Sequence, residues 1–175
     1  MENKSEYFFK YILKPICLVA ILITLDQFSK HIVRQNMELG GVKPVLSFFQ
    51  LAYVTNTGIG FSLFQGANTF FAAFTVLVIL GFIAWYAVNA RGLSGLVRTA
   101  LVLVISGAIG NLIDRIVYGH VTDFLDIYYG SYHWPAFNVA DSCISIGGTL
   151  LFIWVLISGR EEKLVKKDSN VPDNN

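Results

Sequence analysis

Phe70 to Val88 reads FFAAFTVLVILGFIAWYAV, a run without a charge, an amide or a proline. A helix needs about 20 apolar residues to cross the hydrocarbon core of a bilayer, and this run supplies them nearly unbroken. Three further stretches have the same character: about Tyr11 to Ile32, densest at Ile16–Leu25, about Thr99 to Val117, and about Ser142 to Ile157. The expected fold class is an all-α membrane protein with four transmembrane helices. Residues 1–160 then form one integral membrane domain and residues 161–175, EEKLVKKDSNVPDNN, a polar, disordered tail on the cytoplasmic side.

Composition agrees. Of the 175 residues, 54% are hydrophobic and 14% charged, with a mean hydropathy of +0.57. A soluble domain carries about a quarter charged residues, and a disordered chain combines low hydrophobicity with high net charge. Net charge is +1 and the pI about 7.8, which gives no basic field for nucleic acid. Cys17 and Cys143 lie inside apolar runs and read as small buried hydrophobes. His31, His120 and His133 are scattered, so no metal site and no cofactor is expected.

Orientation follows from the basic residues near helix ends. Lys4, Lys10, Lys14, Arg91, Arg98, Arg160, Lys163, Lys166 and Lys167 fall on one side, and Lys30, Arg34, Lys43 and Arg115 on the other. Both termini and the Asn89–Arg98 loop are therefore expected in the cytoplasm, with 35–69 and 118–141 outside. The first run resembles a secretory signal, yet no small-x-small cleavage site follows it. It ends in Leu25-Asp26-Gln27 and reads as a retained signal anchor.

Between the first two runs, Val45–Asn56 (VLSFFQLAYVTN) is rich in β-branched and aromatic residues. Gly40, Gly41 and Pro44 precede it, and Gly58 and Gly60 follow. That pattern predicts one or two short strands, a small β cradle over about 40–66 outside the membrane. Such strands offer backbone donors and acceptors to an extended peptide. Tyr128, Tyr129, Tyr132, Trp134, Trp85 and Trp154 read as interfacial aromatic belts.

Ionisable groups at a bilayer are costly and mark function by default. Of twelve acids, Glu2, Glu6, Glu161, Glu162, Asp168 and Asp173 lie in polar tails and Glu38 in a loop. Asp26, Asp114, Asp123, Asp126 and Asp141 gather at the outer ends of the spans. Asp123 and Asp141 approach one interface from two sides of the outer hairpin. Two carboxyls that close share a proton, and such a pair can hydrolyse a peptide bond without metal. An ion or proton carrier would use the same acids, and a peptide-gripping membrane chaperone would use the strands alone. Asp26 with Lys30 and Asn111 with Arg115 are i,i+4 pairs. Asp114 is expected to ion-pair with Arg115. Asn56 and Asn138 are expected to hydrogen-bond backbone, and Asp126 to be a solvated or capping carboxylate.

Five ordered blocks carry a resemblance. They are Asp26-Gln27-Phe28-Ser29-Lys30, Asn56-Thr57-Gly58-Ile59-Gly60-Phe61-Ser62, Gly110-Asn111-Leu112-Ile113-Asp114-Arg115, Val121-Thr122-Asp123-Phe124 and Phe137-Asn138-Val139-Ala140-Asp141-Ser142. Together they resemble the lipoprotein signal peptidase (type II signal peptidase) family, over about Asp26 to Gly147. One departure is Gly60, where the family usually has Ala. The resemblance implies an aspartic endopeptidase of the bacterial cytoplasmic (inner) membrane with its active site at the extracytoplasmic face. It would remove signal peptides from prolipoproteins, cutting before the cysteine that bears a diacylglyceryl group. It further implies Asp123 and Asp141 as the catalytic dyad, Asn56 and Arg115 as substrate-binding, and Asp26, Lys30, Gly58, Asn111, Asp114 and Asn138 as supporting residues. Expected partners are the lipidated precursor and membrane lipids; the expected state is a monomer. A presenilin-like site is not indicated, since Gly-x-Gly-Asp is absent.

Overall fold

A computed structural model describes residues 3–58 and 66–168, with side chains as far as residue 158. Four of its helical stretches are long and apolar enough to cross a membrane. The first, Lys4–Asn36, consists of α1 (Lys4–Phe8), a wide i→i+5 turn at Phe9–Leu13, and α2 (Lys14–Asn36). Pro15 explains that turn. It has no N–H for the carbonyl of Tyr11 four residues back, and its ring crowds that carbonyl. The helix widens there, and the Tyr86 hydroxyl donates to the stranded Tyr11 carbonyl at 2.9 Å.

The other three are α3 (Asn68–Asn89), α4 (Gly95–Tyr118) and α5 (Val139–Asp168). Ser94 caps α4, its hydroxyl accepting from the Val97 N–H at 3.3 Å. The helix ends at Gly119, whose φ of 77° is the left-handed turn that glycine adopts without strain. α5 runs on to Asp168, so part of the stretch expected as a disordered tail is helical, and 169–175 lie outside the described residues.

α4 is the hub. Val97, Ala100, Leu101, Val102 and Ile105 are buried on it, and α2, α3 and α5 pack around it. α5 packs closely on α4 because each presents a glycine to the other. A methyl at Gly107 would run into the Ala140 carbonyl oxygen, and one at Gly147 would stand 2.7 Å from that of Ala100. Small residues let membrane helices bring their backbones together in this way. The outer faces stay apolar, with Phe70, Leu77, Val88 and Phe152 all exposed, as a lipid-facing surface requires.

A four-stranded antiparallel sheet, β1-β2-β3-β4, sits at one end of the bundle. It comprises β1 (Val42–Leu46), β2 (Phe49–Asn56), β3 (Val121–Tyr129) and β4 (Tyr132–His133). The position of the sheet corrects the sequence expectation of a cradle lying only between the first two spans. Its second half comes from the segment between the third and fourth. The strand signal there was hidden because β3 is covered on both faces at its start, Val121 through Phe124 being buried in succession, so no apolar–polar alternation appears. Residues 59–65 of the expected cradle, Gly60 among them, lie outside the described residues. Pro44, which cannot donate to a ladder, falls on the edge strand β1. A register shift between Leu51 and Val54 bulges β2 against β3. Beyond it, Val54 pairs with Asp123 and Asn56 with Val121.

Candidate active site

The start of α5 sets the site. The Asn138 side-chain carbonyl accepts from the Asp141 N–H at 2.9 Å, and the Asp141 carboxylate accepts from the Asn138 N–H at 3.1 Å. This reciprocal capping box satisfies two of the donors that a helix leaves open at its N-terminus. A third, the Ala140 N–H, donates to Asp26 at 2.9 Å. Asp141 is thus pinned at the positive end of α5, where a carboxylate is favoured.

Asn138 is fully buried, and its side-chain N–H groups face outward from the cap. They lie 2.7 Å from a carboxylate oxygen of Asp123, 3.3 Å from the Thr122 carbonyl and 3.2 Å from the Asn111 side-chain oxygen. One side chain therefore ties the turn bearing Asp141 to the strand bearing Asp123. The other oxygen of Asp123 accepts from Asn56 at 3.3 Å, and the Asn111 amide donates to Asp141 at 2.8 Å. Asp123 is 3% exposed. Its burial, and next the charge of Asp141, push its carboxyl up to about 7, against the pull of Asn56, Asn138 and Lys30.

Behind these groups lies a buried ionic layer. The Lys30 ammonium, with no exposure, sits 2.8 Å from Asp26, 3.3 Å from Asp114 and 3.0 Å from the Asn111 side-chain oxygen. Lys30 has no acceptor, so its contact fixes the Asn111 amide with its nitrogen toward Asp141. Asp114 also takes the Thr122 N–H at 2.9 Å and lies 3.5 Å from Arg34, anchoring the start of β3.

Asp123, Asp141, Asn56, Asn111 and Arg115 line one cleft of about 640 Å³. Its remaining wall is largely apolar, with Phe71, Phe74, Val78, Val104 and Ile144. Arg115 donates to the Gly58 carbonyl at 2.8 Å and to the Asn111 carbonyl at 3.4 Å, while its buried Nε has no acceptor among the described residues. Gly58 in turn donates its N–H to Asn56 at 2.9 Å. Among the described residues no cluster of His, Cys, Asp or Glu could hold a metal.

All ten residues singled out in the sequence gather here, with two changes of partner among them and a third at Asp126, outside the cleft. Asp114 pairs with Lys30 and Arg34 rather than Arg115, because Arg115 turns into the cleft. The Asn111 side chain meets Asp141 and Lys30, and only its backbone carbonyl meets Arg115. Asp126 is buried, between Gln50 at 2.6 Å and His133 at 2.9 Å. The sequence reading missed Gln27, which reaches Asp26, Asp114 and the Gly110 carbonyl, and also Arg34 and Thr122. The capping box was readable as Asn-x-x-Asp before an apolar run.

Two solved structures share this fold. Both are described as bacterial membrane enzymes and superpose with TM-scores of 0.75. One is 28% identical, covering 94% of this chain and 95% of its own, and the other is 30% identical, covering 83% and 94%. The fold and cleft thus define a multi-pass membrane protein of an enzyme class. A family model described as signal peptidase (SPase) II matches residues 18–157. The lipoprotein signal peptidase of Syntrophus aciditrophicus is 42% identical over 86% of this chain and 98% of its own length. Those of Cupriavidus taiwanensis and Bacillus pumilus are 41% and 40% identical, over 79% and 82% of this chain and 80% and 92% of theirs. The chain belongs to the signal peptidase II family.

Proposed function

We propose that this chain removes the signal peptide from diacylglyceryl-modified prolipoproteins, cutting before the lipidated cysteine, with Asp123 and Asp141 as an aspartic dyad. The observation that carries this reading is the single cleft in which Asn138 ties both carboxyls together. Two carboxyls in one buried site cannot both ionise cheaply, so the resting pair holds one proton. The ionised member takes a proton from water as the water oxygen bonds to the scissile carbonyl carbon. The neutral member gives its proton to the carbonyl oxygen. As the tetrahedral adduct collapses and the C–N bond breaks, the carboxyl that took the water proton gives it to the departing amine, and the adduct's hydroxyl returns its proton to the other carboxylate.

The other groups fit that course. Asn56 and Arg115 flank the carboxyls with N–H donors, suited to holding the substrate backbone. Asp26, Lys30, Asn111, Asp114, Gly58 and Asn138 support the shape of the site. The apolar wall suits a signal helix with its acyl chains in lipid. In this reading the protein is a multi-pass domain of the inner membrane. Both termini are cytoplasmic, and the cleft and sheet lie at the extracytoplasmic face.

The test is cleavage of a diacylated precursor by purified wild type, D123N and D141N. Both isosteric variants are expected to lose activity by at least about 100-fold while remaining folded. Full activity in either variant would remove the dyad from the mechanism.

A further inference from the structure

A second cavity lies toward the other end of the bundle. It has a volume of about 450 Å³, within the about 300–1,000 Å³ range of small-ligand pockets, and it is walled by α1–α2, α3 and α4. Ile16, Val19, Ile83, Ala87, Leu101 and Ile105 give it aliphatic sides, and Tyr7 and Tyr11 close one end. The Pro15 wide turn forms part of this wall, and such turns inside helices recur at functional sites.

Cations crowd the tyrosine end. The Arg91 guanidinium stands 4.4 Å from the Tyr7 ring centre, that of Arg98 5.1 Å from the Tyr11 ring, and the Lys10 ammonium 5.0 Å from the same ring. Arg98 is held there by bonds to the Leu93 and Ala90 carbonyls at 2.7 and 3.5 Å. Among the described residues no carboxylate pairs with Arg91 or Arg98. Glu6, the acid on α1, accepts instead from the Asn3 N–H at 3.3 Å. A half-open apolar slot ending beside guanidinium groups that no carboxylate among the described residues pairs matches a ligand with an apolar tail and an anionic head.

We propose that this groove binds one anionic phospholipid, an acyl chain lying against Ile16, Ala87 and Ile105 and the phosphate at Arg91 and Arg98. Guanidinium groups take phosphate oxygens in pairs. In the orientation proposed above, the mouth opens to the cytoplasmic leaflet, where anionic headgroups meet basic residues at membrane proteins. The lipid would fill the space lined by the widened helix, α3 and α4. The proposal is independent of the dyad, and its test does not read cleavage as the measure of binding.

The full chain is extracted in mild detergent from vesicles of equal phosphatidylglycerol and phosphatidylcholine. Lipid retained per protein is then counted by mass spectrometry. Wild type is expected to keep phosphatidylglycerol in preference. R91Q lowers that preference about five-fold, the worth of one basic residue near an anionic surface, and R91Q/R98Q abolishes it. A87W, which fills the groove and leaves the charge unchanged, is expected to lose the lipid whatever its headgroup. R91Q and A87W keep the wild-type unfolding temperature, since both positions are exposed. Equal retention of the two lipids by wild type would overturn the proposal, as would wild-type retention in A87W. Displacement of the lipid by inorganic phosphate alone would make this a free-anion site and also overturn it.

Discussion

Asn138 and Asp141 each hold the other's backbone N–H, at 2.9 and 3.1 Å respectively, so the residue that caps α5 also orients a proposed catalytic acid. The same Asn138 amide bonds Asp123 at 2.7 Å. Cap and dyad geometry are therefore separable by substitution. N138A loses both, whereas N138S retains a capping oxygen and loses the amide. N138S is expected to be more stable than N138A by about 1 kcal/mol, with kcat/KM down about 100-fold in both. Thermal unfolding alongside precursor cleavage checks this. Wild-type activity in N138S would show that the amide does not position the acids.

Asp123 gives a pH signature. Its carboxyl stands at about 7 in the fold against 3.8 ordinarily, burial being the main cause. Between those values the native state keeps a proton that the unfolded chain has shed. The favourable contribution is complete below about 3.8 and is lost as pH rises through about 7. Wild type should thus lose stability relative to D123N across that window, by up to about 1.4 kcal/mol per pH unit. Unfolding temperatures of the two proteins in detergent, compared at several pH values, test the sign. Parallel curves would contradict it.

Lys30 is a buried cation between Asp26 and Asp114, with side-chain exposures of 0%, 2% and 0%. K30M leaves two carboxylates buried with their shared cation gone. Breaking a buried pair by removing one partner costs about 3–5 kcal/mol. Losing the contact to the Asn111 oxygen also frees that amide to turn away from Asp141. K43A, on the exposed strand β1, is expected within about 0.5 kcal/mol of wild type. Chemical or thermal unfolding distinguishes them.

Gly107 sets the distance between α4 and α5. G107A places a methyl against the Ala140 carbonyl, one residue from Asp141, so α5 must shift. A cost of about 1–3 kcal/mol is expected, with activity falling further than stability because the dyad moves with the helix. G81A on α3 meets nothing within 4 Å and is expected to be neutral or slightly stabilising. Equal behaviour of the two variants would mean that the helix approach is not set at Gly107.

Much of this was legible along the chain. Residues that interact within a helix turn, such as Asp26 with Lys30, were readable from spacing, because helix geometry fixes what lies four residues away. Asp114 was misread for the opposite reason. Its neighbour in sequence was Arg115, but successive helix positions point apart. Lys30 and Arg34 on another helix reached Asp114 first. Asp126 looked solvated because nothing nearby in sequence announces Gln50 or His133, which meet it across strand pairings.

Apolar runs and charge placement determined by themselves that four helices are long and apolar enough to cross a membrane and that acids collect at one end, since bilayer thickness and the cost of burying charge act on local sequence. Only the tertiary structure decided that β3 completes the sheet, that Lys30 sits under Asn111, and that one asparagine joins the two acids. Those facts depend on where chain segments far apart in sequence come to rest. Close approach of α4 and α5 at glycine, and pairing of β2 with β3, set those positions, and neither leaves a periodic mark on the sequence.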